Sequence, residues 1–453
     1  MSSKYEGEPC SAEPQCAAGL SCQLDGLAID PASKHLAATC SQNLDGRPAG
    51  EVCTADAECR NGTCDLGHCI DLCDSATDCA PGYTCTEIPR VEANGKLFQG
   101  CLLSSGAIAW SLPATSPQSD IQVPVPAAAR SMTLVMTVDD PDESVGAVSL
   151  VAPDMTVLYH LPCGGGTCQT ERDEYYANLV RHLPGAGMSV LQMPSSPKML
   201  PEGDATAALP VGMYQASISS FTTGGDTGAS TPHITAITRL DSGTTLDLHF
   251  YFLDLDQHPC AAKTGGGTLS KTTAATASYF QGEYLGALKE ILRNADITLG
   301  DITYDDVDAP ALDGLDIADA GTLFARSTYA TGINIFFVRS LSPAGLQAYG
   351  PNPGPAGVSG TAQSGIAIAL DTLCYRDWAP SGISGASVAR ITAHEIARYL
   401  GLYHNVEPEP VDGDDGIDDD DTSSTNLMFY SELGGVQLSD GQRAILSRSP
   451  VLR

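Results

Sequence analysis

The chain has 453 residues, enough for two or three domains that each bury a core of their own. Its 55 acidic against 23 basic residues leave a formal charge of −32, with no cluster of Lys or Arg to displace counterions from phosphates, which argues against nucleic acid and anionic membranes as partners. No run of 18 apolar residues offers a membrane span.

Residues 1–103 hold twelve of the 16 cysteines. They fall in three blocks: Cys10, Cys16, Cys22, Cys40; Cys53, Cys59, Cys64, Cys69; and Cys73, Cys79, Cys85, Cys101. Each block repeats Cys, five residues, Cys, a Gly-containing turn and a third Cys. This pattern predicts three small modules with two disulfides each, of undetermined connectivity. Zinc is the competing reading, but CxxC pairs are absent and His is scarce. Such cysteine usage points to an oxidising compartment, so the sequence is expected to be that of a mature exported chain, extracellular or on the cell surface. A lipid-anchored precursor is compatible with the same beginning.

Residues 104–243 predict a β-sandwich. "RSMTLVMTVDD", "GAVSLVAPDMTVLYHL", "GMSVLQMP" and "GMYQASISSF" are short β-branched or alternating runs between Pro and Gly turns. Their strand-turn-strand pattern is jelly-roll-like. Cys163 and Cys168 are expected to close a local loop, and "TTGGDTGAST" to form an exposed loop tip.

From residue 244 to 453 strands mix with helices, which predicts an α/β domain. "TTLDLHFYFLDL", "ITLGDITYDDV", "GINIFFVRSL" and "SGIAIAL" are strands. "ASYFQGEYLGALKEILRNA" is helical, with Phe280, Tyr284, Leu288, Ile291 and Leu292 at core-facing spacing. A second helix, "GASVARITAHEIARYL", ends at Gly401, and a third begins with Ser439 as N-cap. Cys260 and Cys374 are left over as a pair.

The second helix runs into "HEIARYLGLYH", residues 394–404. Helical positions i and i+4 share a face, so H-E-x-x-H presents two imidazoles to one zinc ion, while the glutamate takes a proton from metal-bound water. Zinc lowers the pKa of that water towards neutrality and makes it a nucleophile for a peptide carbonyl. His394, Glu395, Gly401 and His404 stand where such a site needs them; the position of the second histidine is Arg398.

The stretch resembles the metzincin metalloproteases, secreted pappalysin-like and astacin-like members among them, whose signature is HExxHxxGxxH followed by a methionine turn. "TNLMFY" supplies Met428 for that turn, as a structural floor, and Tyr430 matches the tyrosine found near the metal. The resemblance covers residues 244–453. It implies zinc held by His394 and His404, Glu395 as general base, and an extended protein or peptide substrate paired with an edge strand, for which "SGIAIAL" is the candidate. Arg398 departs from the pattern, because a guanidinium has no lone pair to give a metal. It is expected to turn back onto Glu395, whether the substitution is inherited or introduced. Two functions follow as expectations: a secreted zinc endopeptidase of metzincin type, and a catalytically inactive binding or adhesion protein on the same fold. Asp412, Asp414 and Asp418, in "VDGDDGIDDDDTSST", are candidate calcium ligands; a solvated acidic loop is the alternative.

Overall fold

The computed structural model describes residues 4–12, 15–17, 20–25, 37–42, 53–59, 61–65, 68–79, 83–91, 97–103, 107–112, 114–125, 129–161, 178–195, 199, 207–253, 255, 268–373, 388–405, 423–430 and 434–453. Cys163, Cys168, Cys260 and Cys374 lie outside these residues, so the two expected pairings among them do too.

The N-terminal cysteines form six disulfides, first to third and second to fourth within each block. The reason is a hairpin in every module. Cys22 faces Cys40, Cys64 faces Cys69 and Cys85 faces Cys101 across paired strands. The third and fourth cysteines are thus neighbours, and each reaches back to one of the first two. The small apolar cluster around Ile70, Leu72, Ile88 and Phe98 is too slight to hold such loops alone, and the cross-links offset that.

Two antiparallel sheets form the sandwich. Its strands are β1 (Ala107–Leu112), β2 (Gln118–Val125), β3 (Ser131–Thr137), β4 (Ser144–Val151), β5 (Val157–His160), β6 (Met188–Met193), β7 (Gly212–Phe221) and β8 (His233–Arg239). One sheet runs β5-β4-β7-β2, the other β6-β3-β8-β1. In β2 the alternation expected of a half-buried strand is clear, with Ile121, Val123 and Val125 turned inward. In β3 it is absent. Met132, Leu134 and Met136 face the sandwich core, while Val135 faces a second core on the other side. The segment "TTGGDTGAST" is the largely exposed connection between β7 and β8.

That second core belongs to an α/β layer. Strands β9 (Thr245–Phe252), β10 (Thr298–Asp306), β11 (Ile333–Val338), β12 (Ala348–Tyr349) and β13 (Ile366–Ala369) form one sheet in the order β10-β9-β11-β13-β12. All pairings are parallel except β12 on β13. Central β11, "INIFFV", is buried at every position, as a parallel strand covered on both faces must be. On one face lie α1 (Leu285–Arg293) and α2 (Val388–Tyr399), joined by a hydrogen bond from the Tyr284 hydroxyl to Thr392 Oγ1 at 3.1 Å. The continuous helix expected from residue 277 is instead a π-helical turn, Tyr279–Tyr284, leading into α1; Phe280 and Tyr284 are still buried. The last helix, α3 (Asp440–Leu446), has its Ser439 cap, closed into a capping box by Gln442.

The chain end locks the layers together. Arg448, fully buried, donates to the carbonyls of Arg130 at 2.6 Å and Ala207 at 2.9 Å, and Ser131 Oγ donates back to the Arg448 carbonyl. Arg453 forks onto Asp247 with two contacts of 2.9 Å. No described helix is long and apolar enough to cross a membrane.

His182 ties the two sandwich sheets. Its Nδ1 donates to the Val190 carbonyl on β6, and its Nε2 accepts from the Ala147 amide on β4, each at 3.0 Å. Burial lowers the ring's pKa from 6.5 to about 4. The unfolded chain therefore takes up this proton near pH 6.5, whereas the folded chain resists until about pH 4. Stability is fully present above the upper value and falls as pH drops through the window, by about 3 kcal/mol from this residue. Urea unfolding at pH 7 and pH 4 reads the loss. His182→Asn should flatten that part of the profile, and an unchanged profile would discount the assignment.

Candidate functional site

Helix α2 is buried at nearly every position because it lies between the sheet and residues 427–430 and 434–435. Arg390, His394 and Arg398 recur every four residues and so make one stripe along it. The helix stops in a Schellman motif: the Leu402 amide bonds to the Ala397 carbonyl and the Gly401 amide to the Arg398 carbonyl. Gly401 has φ +112°, and a Cβ there would sit 2.5 Å from Gln192 Nε2, itself a donor to the Leu400 carbonyl. Gly401→Ala should therefore cost about 2 kcal/mol of stability through the strained backbone, seen as a lower urea midpoint at unchanged slope.

The turn at Gly401 brings His404 back to His394, with ring centroids 5.3 Å apart. His394 Nδ1 lies 2.8 Å from the Leu427 carbonyl. A carbonyl only accepts, so Nδ1 carries the proton and Nε2 keeps its lone pair. Burial, reinforced by His404, Arg390 and Arg398, pushes the pKa of His394 well down and keeps the ring neutral. Tyr403 is fixed to the sandwich, its hydroxyl donating to the Arg181 carbonyl at 3.1 Å. Sandwich residues thus set the path of the loop that carries His404.

Beneath the histidines Met428 is wholly buried. Its amide donates to Asn426 Oδ1 at 2.7 Å, and its carbonyl accepts from the Asn405 amide at 3.2 Å. Asn426 in turn exchanges two hydrogen bonds with Gln442. Arg390, which the sequence reading passed over, braces the same turn from the helix. It donates to the carbonyls of Leu427, Phe429 and Gly435 at 3.1–3.3 Å. Its spacing from His394 was the one available sign of it. Burial lowers its pKa to about 10, against the opposing pull of Glu395.

Glu395 and Arg398 meet as expected, Oε1 to a terminal guanidinium nitrogen at 3.6 Å. The pair is single-pointed, since buried Glu395 Oε2 and Arg398 Nε have no hydrogen-bond partner. Tyr430 is 43% exposed and packs its ring on Phe429. A cavity of about 390 Å³ gathers His394, Glu395, Arg398, His404 and Tyr430. A second, of about 430 Å³, shares Arg398 and His404 and opens between the sandwich and β12.

One expectation changes. The edge of the sheet is β12, Ala348–Tyr349, not "SGIAIAL", whose β13 lies inside with β11 and β12 on its two sides. β12 contributes to both cavities. Asp412, Asp414 and Asp418, the candidate calcium ligands, lie outside the described residues. A three-histidine zinc centre does not fit this chain, because at the second histidine's position stands a cation that already faces Glu395.

No protein-family model matches the chain, and no curated protein matches it. Among solved structures, the infectious bursal disease virus VP2 subviral particle aligns at 14% identity over 34% of this chain and 37% of that one, with a TM-score of 0.16. A Bacillus subtilis protein aligns at 11% identity over 49% and 45%, with a TM-score of 0.13. The matched portions are under half the length of each of those chains.

Proposed function

We propose that this chain is an exported, disulfide-braced protein of the metzincin peptidase fold that binds extended polypeptide without hydrolysing it. The observation that carries this reading is the Arg398–Glu395 ion pair at 3.6 Å inside the cavity of His394 and His404. One side chain removes a metal ligand, sets a positive charge where a dication would sit, and engages the carboxylate that would serve as base. The buried Met428 turn, the glycine stop of α2 and the antiparallel edge strand support the fold relation. The six disulfides support export.

A zinc endopeptidase is the second reading, favoured by His394. Its Nδ1 is committed to a backbone carbonyl and its Nε2 lone pair is available beside His404, as a metal-binding imidazole requires. Metal analysis after dialysis, paired with a casein-cleavage assay, separates the two. The proposal expects zinc far below one ion per chain and no cleavage. Stoichiometric zinc with cleavage would overturn it in favour of the second reading.

A further inference from the structure

Arg398 is the one described residue besides His404 that lines both cavities of the cleft. Its side chain is 26% exposed, and its contact with Glu395 uses one guanidinium nitrogen. A guanidinium has five N–H donors in a planar fork, so most of its capacity to bind an anion is unspent. Among the described residues of the outer cavity it is the only Arg, Lys, Asp or Glu; Glu395 lines the inner one alone. An anion arriving through the outer cavity therefore reaches the guanidinium without first meeting a carboxylate. The charges leave room for one such group. Arg390 and Arg398 stand against Glu395, and a single added carboxylate brings the inner set to balance.

The outer cavity is built by both layers, and part of its wall is apolar. Leu183 and Val190 come from the sandwich, Tyr349, Pro351 and Pro353 from the α/β layer. Its volume, about 430 Å³, lies in the range of ligand pockets, about 300–1,000 Å³. Asn352, Gln363 and His404 add polar groups to the same wall.

We infer that the cleft reads the carboxyl terminus of a polypeptide, Arg398 taking the terminal carboxylate and the outer cavity the last, apolar side chain. This rests on the reading of Arg398 as a replacement for a zinc ligand. A terminal residue carries its carboxylate and its side chain on one Cα, which matches a guanidinium set beside the apolar wall formed by Leu183, Val190, Tyr349, Pro351 and Pro353. An internal Asp or Glu would carry its charge at the end of its own side chain and leave that pocket empty.

Fluorescence anisotropy on the full chain tests this, using an N-terminally labelled hexapeptide of five alanines and a C-terminal leucine, as free acid and as amide. The acid should bind at least ~10-fold tighter, the scale of a charge-assisted contact. Arg398→Gln should bring the two affinities together, with thermal unfolding as the check that it folds. Tyr349→Ala should weaken the acid while preserving the acid-to-amide ratio, because it alters only the wall. Equal affinities in the parent chain, no binding of either peptide, or equal binding of an amidated peptide ending in aspartate would overturn the inference and leave the non-hydrolytic reading standing. Cleavage of the peptides by zinc-loaded parent protein would overturn that reading, and this inference with it.

Discussion

Arg398→His should bind one zinc ion per chain and cleave casein, where the proposed reading expects the parent to do neither. The substitution acts twice. It supplies the missing imidazole at the i+4 position from His394, on the face that already carries a neutral ring with its Nε2 lone pair available. It also releases Glu395 Oε1 from its cationic neighbour. A positioned general base is worth about 10²–10⁴-fold in rate, and it contributes only when it is free and a metal-bound water is beside it. Arg398→Gln separates the two effects, since it frees the carboxylate without adding a ligand; it should gain neither zinc nor activity. If Arg398→His gains neither, the assignment of α2 as a zinc helix is wrong, because fold, turn and base would all be present with no metal site to show for it.

The second large effect belongs to Arg390. Its guanidinium is the shared partner of the Leu427, Phe429 and Gly435 carbonyls, and it is 1% exposed. Arg390→Met keeps much of the side-chain volume but strips the cation from three buried acceptors. Leu427 retains His394; Phe429 and Gly435 lose this donor. Leaving such groups unsatisfied costs about 1–3 kcal/mol each, so a loss of roughly 3 kcal/mol is expected in urea unfolding. Hydrogen exchange should locate the damage, with protection of the Met428 amide falling before that of β11. A loss below about 1 kcal/mol would mean that water replaces the guanidinium freely, contrary to its burial. Gly434 sharpens the point. A Cβ there would lie 1.8 Å from an Arg390 guanidinium nitrogen, so the segment passes the arginine with no space to spare.

What was legible in the sequence was local. The Gly401 stop, the Ser439 cap and the core spacing of α1 depend on residues within a turn or two of one another, and each is present. So is the Arg398–Glu395 contact, set by helix geometry alone. What escaped depended on distant partners. Two-residue β12 has no periodicity to detect, and its place at the sheet edge is decided by its pairing with β13. β3 resembled an ordinary sandwich strand because nothing nearby announces a second layer packed on its outer face. The buried arginines Arg239, Arg390 and Arg448 drew no notice in the sequence, since their partners are mainly backbone carbonyls far along the chain. The π-helical turn at Tyr279–Tyr284 keeps the same residues buried as an α-helix would, and a hydrophobic pattern cannot tell the two apart.

The sheet β6-β3-β8-β1 also bears on how this molecule can be divided. Ala107, Ala109, Val135, Met188, Val190 and Ile237 project from it into the core that the α/β layer calls its own. A protease that trimmed away everything before residue 244 would strip that floor and leave an oily surface in water, with Arg448 deprived of the carbonyls of Arg130 and Ala207. The half that carries His394 and His404 is therefore not a cargo to be released from a spent leader, nor a cassette to be moved between proteins by recombination. Cut from its sandwich, it should lose stability and expose that apolar floor.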